Sequence, residues 1–357
     1  MAFGITTMVA LQTFVGLAVI LGLGLLVGHL HPGFGLLLPL AFEQGPGQAL
    51  SLGTAWEPTG FTDGGQIGLV VAAIGFGWSV GVGVPLVAWG RARGLVSRGY
   101  DAEAPQARAA KDTAALPPGS LELLARQVVA IGLVYAATWG VCALLYQALS
   151  AAVPDIASMV WGFHFMIGAL LAMAARPLFR PLGAPLDDVL LGRIAGVTVD
   201  LATCAALAAV TIGVFRANWI PILLVTTIGG LTTLLAAVWF ALRAWREAPF
   251  EHCVLWFGMS TGTLPMGLAL LRIVDPELRS PAPVSAVLGS AIAIAGVAPI
   301  VLLIHPIPIL GWEAAWPASG WTALGLSGLY FAVTVGLWWR FGGLGLAAPP
   351  KEQAAWT

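Results

Sequence analysis

Charge is what this chain has least of. Asp, Glu, Lys and Arg together supply 9% of its 357 residues, where an ordinary soluble domain carries about 25%. A chain so poor in charge cannot cover itself with a water-compatible surface, which excludes a soluble globular protein. What charge there is sums to a net −1 without a basic stripe, so no nucleic-acid partner is expected. Cysteine is scarce too. Cys142, Cys204 and Cys253 each fall inside an apolar run, which speaks against a disulfide framework. No Lys or Arg precedes the first apolar segment and no small-residue cleavage site follows it. That segment is therefore expected to be a membrane helix and not a removable signal. Neither HExxH nor a phosphate-binding glycine loop occurs, and neither an enzyme activity nor an organic cofactor is expected.

What the chain has in abundance is apolar length. Hydrophobic residues make up 59%, and about 20 in succession span the hydrocarbon core as a helix. Full crossings are expected near residues 8–30, 65–90, 121–150, 156–175, 194–214, 218–242, 283–304 and 320–340. The class is an all-α membrane protein of about eight transmembrane helices, with the lipid bilayer as its first partner.

Two further apolar stretches are broken in the middle. One is LAFEQGPGQALSLGTAW, residues 40 to 56; the other is EHCVLWFGMSTGTLPMGLALL, residues 251 to 271. Polar, Gly/Pro-interrupted backbone at bilayer depth loses its helical partners, which is tolerable only against protein or a water-filled cavity. A pair of such breaks, one per half, is a pointer to a transporter's binding site.

Positive charge decides the topology, because Lys and Arg stay on the cytoplasmic side. If residues 251–271 dip in and return, fifteen of the sixteen Lys and Arg share one face and only Arg216 lies opposite. If they cross, the split is eleven to five. The re-entrant arrangement is expected. Arg91, Arg93, Arg98, Arg108 and Lys111 then mark a cytoplasmic linker over 91–120, and the stretch Arg176 to Arg193 a second connection on that face. An inverted repeat follows: residues 1–90 as a partial first repeat of helix, re-entrant loop and helix, and residues 121–304 as the second, with its loop at 251–271. Residues 305–357 add a further helix and a tail. The two loops are expected to meet near the midplane from opposite sides.

The first loop offers Glu43, Gln44, Gly45, Gly47 and Gln48. Glycines permit a sharp turn and close approach of a ligand to the backbone, and Gln amides both donate and accept. Close helix packing is the competing use of Gly45, Gly47 and Gly53. The second loop offers Gly258, Ser260, Thr261, Gly262 and Thr263, closed by Pro265. Hydroxyls and freed carbonyls suit a hard cation such as sodium, and helix N-termini beside the breaks suit a carboxylate. Asp200 is the remaining candidate, a cation or proton ligand or an interfacial partner of Arg193; a carboxylate at the midplane costs about 2.5–3.5 kcal/mol.

The stretch from Phe42 to Gly94, with its Gly-rich loop, GF-containing turn and helix ending in GVP and a basic cluster, resembles the first signature region of bacterial sodium:glutamate symporters. The stretch from Glu251 to Ser290, with FGMSTGT and LLRIVDP, resembles the second. The resemblance implies a secondary carrier of two inverted repeats in a bacterial inner membrane, working by alternating access. It implies glutamate or a related acidic amino acid as cargo, sodium as coupling ion, and a homodimer. One helix precedes the first loop where the family places several, and EQGPGQ stands where the best-known members have a GGHGTG-like loop. On that comparison the chain reads as N-terminally shortened, and the alternatives are a carrier for another organic anion or a non-transporting, truncated membrane protein.

Overall fold

Apolar runs that cannot hydrate their own amides satisfy them along a helix, and every described regular element is helical. The structure, a computed structural model, describes residues 1–97, 120–151, 153, 157, 159–179, 186–341 and 343–345. Linker residues Arg98, Arg108 and Lys111, loop residue Arg180 and tail residue Lys351 lie outside the described residues.

The long elements are α1 (Ala2–Val27), α2 (Gly33–Phe42), α3 (Pro46–Ala55), α4 (Gly64–Ala92), α5 (Ser120–Ser150), α6 (His164–Phe179), α7 (Asp188–Ala208), α8 (Ile212–Ala244), α9 (Pro249–Val274), α10 (Ala282–Pro299) and α11 (Ala318–Arg340). A π-helical turn, Ile300–Ile304, and short helices Pro306–Leu310 and Trp312–Ala315 lead from α10 to α11. Among the described residues nine helices are long and apolar enough to cross a membrane, and the chain is a multi-pass, all-α membrane protein by that measure. Eight of them overlap the expected crossings; the ninth is α9, which contains the second broken stretch. The boundary near residue 214 shifts: α7 ends at Ala208 and α8 starts at Ile212, with the non-helical Asn218 and Pro221 kinking it where a new crossing is expected.

The chain divides into two compact units, residues 1–104 with 209–357, and residues 105–208. In the second unit α5 packs against α6 and α7. In the first, α1 is packed by α2, α8, α10 and α11, and α4 by α2, α3, α8 and α9.

Two helical hairpins organise the first unit. Helix α9 is interrupted at Gly262 (φ −148°) and Thr263 (φ 70°). In a continuous helix Gly258 and Gly267 would stand about 13 Å apart along the axis. Here a Cβ built on Gly258 would lie 2.8 Å from the Gly267 Cα, and one on Gly267 would lie 2.4 Å from the Leu255 carbonyl oxygen. The two limbs of α9 therefore fold back on each other, and only glycine permits that approach. Helices α2 and α3, ten residues each, form the other hairpin, each about 15 Å long and too short to span a bilayer. Its open end lies at the start of α4, where Phe34 meets Phe61 edge-on and Gly53 abuts Gly64; its tip lies farther along, where Phe42 abuts Gly75. The α9 hairpin opens at the other end of α4, with Phe250 against Gly90 and Leu270 against Gly83. The hairpins thus enter from opposite ends of one long helix.

Aromatic clusters close both ends. Phe240, Trp245, Trp256 and Trp338 pack ring against ring beside the open end of the α9 hairpin. At the opposite end His31 stacks on Phe61, with Trp312 edge-on.

Candidate functional site

Helix α2 ends at Phe42, with Glu43 as its C-cap, because Gly45 follows at φ 99°, a left-handed conformation that favours glycine, and Pro46 then opens α3 at its first turn. In α9 the first limb ends at Thr261, and Pro265 can enter only the first turn of the next limb. Thr263 holds φ 70° between them, a strained position for a β-branched residue. A Cβ on Gly45 would lie 2.7 Å from the Thr263 Cγ2, so the two tips touch. They do so halfway along α4: Gly75 abuts both Phe42 and the Thr261 carbonyl, and Ser79, one turn on, bonds to the α9 tip. Two helix N-termini (α3 and the second limb of α9) and two C-termini (α2 and the first limb) converge there, bringing positive and negative dipole ends together.

A buried polar network surrounds the contact. Gln12 on α1 donates through Nε2 to the Ser260 carbonyl (2.8 Å) and to Thr233 Oγ1 on α8 (3.0 Å). Because that nitrogen faces a carbonyl, the amide orientation is fixed and Oε1 is left without a partner. Ser79 Oγ donates to the Gly258 carbonyl (3.1 Å) and lies 2.6 Å from Thr261 Oγ1, which donates to the Phe257 carbonyl (2.9 Å). Gln12, Ser79, Thr233, Ser260 and Thr261 are all buried. Glu43 is buried at the tip of the first hairpin with neither carboxyl oxygen hydrogen-bonded; the Ser260 hydroxyl faces it short of hydrogen-bond geometry and is also unpartnered. The Gln44 Nε2 adds another buried, unpartnered donor. Buried polar groups are ordinarily paired, so this concentration of orphans marks a place built for something besides packing.

Of the residues singled out from sequence, Gln44, Gly45, Ser260, Thr261, Gly262 and Thr263 come together at the tips. Gly258 lies one turn below, where it serves the limb crossing. Gly47 and Gln48 form the first turn of α3; Gly47 is exposed with open space around it, and Gln48 is half-buried. Asp200 belongs to α7 in the other unit and is exposed there. Glu251 instead accepts from the Ser97 N–H (2.7 Å) and hydroxyl (2.9 Å), which ties the chain after α4 to the start of α9. His252 lies between the Ala248 carbonyl and Ser285 Oγ and stacks on Trp245. Among the described residues no group of three His, Cys, Asp or Glu is placed to hold a metal ion.

Three participants, Gln12, Ser79 and Thr233, are not among the expected site residues. Ser79 and Ser260 also lie in G-x-S-x-G strings, Gly77–Gly81 and Gly258–Gly262. A nucleophile elbow needs a strand-to-helix turn, whereas both strings lie within α4 and α9. No family model, curated protein or solved structure matches this chain.

Proposed function

We propose that this chain is a secondary transporter that moves a small carboxylate-bearing solute across the membrane by alternating access. The observation that carries the reading is the tip-to-tip contact of two hairpins that enter from opposite ends of α4 around a buried polar network. At 29 residues α4 is about 43 Å long, enough to cross the hydrocarbon core. Hairpins ending halfway along it are re-entrant, and irregular backbone at that depth belongs where it lines a solute path. On this reading α1, the first hairpin and α4 form one repeat, and α8, the second hairpin and α10 form its inverted counterpart.

The cargo follows from the chemistry of the tips. Two helix N-termini suit a solute carboxylate, while the C-termini and hydroxyls suit a cation. That combination fits glutamate or a related acidic amino acid driven by a cation gradient, the cargo that the sequence resemblance implies, with sodium as the coupling ion it implies. The test is uptake into proteoliposomes of purified protein, with labelled glutamate and aspartate as probes under imposed cation gradients. Accumulation that competes with dicarboxylates alone would move the cargo to another organic anion. No accumulation of any amino acid or dicarboxylate in the panel would overturn the carrier reading.

A further inference from the structure

Glu43 is the ionisable side chain at the hairpin tips, and no cationic side chain stands beside it to pair with a negative charge. Helices α1, α2 and α3 carry no ionisable side chain. Those of α4, α8 and α9 stand toward the helix ends: Arg91; Arg216 and Arg243; and Glu251, His252, Cys253 and Arg272. His305, the other buried titratable group near this part of α1, is engaged through Nε2 with Thr13 Oγ1 (3.2 Å). The amide of Gln12, which could have donated to a carboxylate, is committed to Thr233 and the Ser260 carbonyl. An ionised carboxylate shut away from water, with no cationic partner and no hydrogen bond made to either oxygen, is strongly disfavoured. A hard cation needs a shell of oxygen ligands and room for them, but both Glu43 oxygens are closed off from solvent-sized space. A proton needs neither.

We propose that Glu43 is a proton-carrying group, and that the coupling ion of this chain is H⁺ in place of the sodium that the resemblance implies. The inference rests on the transporter reading for its coupling role, though not for the protonation itself. With the site open to water, the Glu43 carboxylate accepts a proton from the solvent and an O–H bond forms. The neutral acid then turns its O–H to the Ser260 hydroxyl oxygen, so two orphan groups become one hydrogen-bonded pair and the closed tip carries no charge. On the far side the O–H bond breaks, the proton returns to water, and the ionised carboxylate is hydrated again. Closure of the tips is thereby tied to the loaded proton.

The protonation is read directly by infrared difference spectroscopy of the reconstituted full chain. At pH 7 the wild type should show the carbonyl stretch of a protonated carboxyl that bleaches at alkaline pH. Glu43→Gln should remove that band, and Glu43→Asp, which keeps the acid, should shift it. A band unchanged in both variants, or absent from the wild type, overturns the proposal. In proteoliposomes without sodium, an inward proton gradient should concentrate labelled glutamate, and Glu43→Gln should lower that accumulation at least tenfold. Accumulation driven by sodium alone and equal in wild type and Glu43→Gln overturns proton coupling and leaves the carrier reading standing. A Glu43-dependent band with no uptake or exchange of any solute upholds the proton site and overturns the carrier reading alone.

Discussion

Gln12 does what no threonine on its helix can. Thr13 returns its hydroxyl proton to the Val9 carbonyl one turn back (2.8 Å), the usual economy of Ser and Thr in apolar helices. Gln12 has no such local outlet and reaches across to α8 and α9. Gln12→Ala would leave the Ser260 carbonyl buried without its donor, at a cost of roughly 1–3 kcal/mol. Thermal unfolding in detergent should show a clearly lower midpoint, and Thr233→Val in the Gln12→Ala background should add little, since the pair shares one interaction. Full additivity would count against the bond. Gln12, Ser79 and Thr233 were hard to single out from sequence because a lone polar residue in an apolar helix is usually back-bonded. Gln12 was the exception available to notice, a long amide in the middle of α1. His31 carries a second residue-scale prediction. Burial lowers its pKa from the ordinary 6.5 to about 4, and Nδ1 already accepts the Gly33 N–H (3.1 Å), so a proton there would displace that bond. The unfolded chain therefore binds the proton first as pH falls. Stability should be fully present above about pH 6.5 and fall by roughly 3 kcal/mol by about pH 4, the free energy of the shift. His31→Phe should flatten that part of the acid limb; an unchanged limb assigns it elsewhere.

At the scale of elements, Gly and Pro placement was the part of the sequence that spoke most plainly. EQGPGQ and GMSTGTLP announce breaks because Pro46 and Pro265 can occupy only a first turn and Gly45 tolerates a positive φ. Sequence alone did not show how the limbs meet, since the close crossing of Gly258 and Gly267 looks like any small-residue stripe. Gly267→Ala places its Cβ 2.4 Å from the Leu255 carbonyl, and backbone cannot yield as a flexible side chain can. The expected cost is roughly 1–3 kcal/mol, measured as a lower unfolding midpoint together with loss of uptake. Tip contact is open to a direct test. A Cβ on Gly45 would lie 4.0 Å from the Thr263 Cβ, within the span a disulfide bridges. In a chain with Cys142, Cys204 and Cys253 replaced by Ala, Gly45→Cys with Thr263→Cys should cross-link on mild oxidation. After cleavage at a protease site inserted between residues 98 and 119, the halves should stay joined on a non-reducing gel and part on reduction. Halves that separate without reductant would show that the tips do not meet as described.

For the whole molecule, fold-back of α9 and the distribution of positive charge are independent arguments for one topology. The limb crossing at Gly258 and Gly267 returns the chain to the end of α4 from which α9 starts. Fifteen of sixteen Lys and Arg fall on one face only if that return occurs, as the retention of positive charge on the cytoplasmic side requires. Arg246, before α9, and Arg279, after it, are exposed and should lie on the same face; Thr62, exposed at the start of α4, should lie on the other. Cysteines introduced singly at these positions, in the cysteine-free background, can be labelled with a membrane-impermeant maleimide in right-side-out and inside-out vesicles. Arg246→Cys and Arg279→Cys should react in inside-out vesicles and Thr62→Cys in right-side-out ones. Labelling of Arg246→Cys and Arg279→Cys from opposite sides would make α9 a true crossing. The inverted relation of the two hairpins, and the site proposed at their tips, would then fall with it.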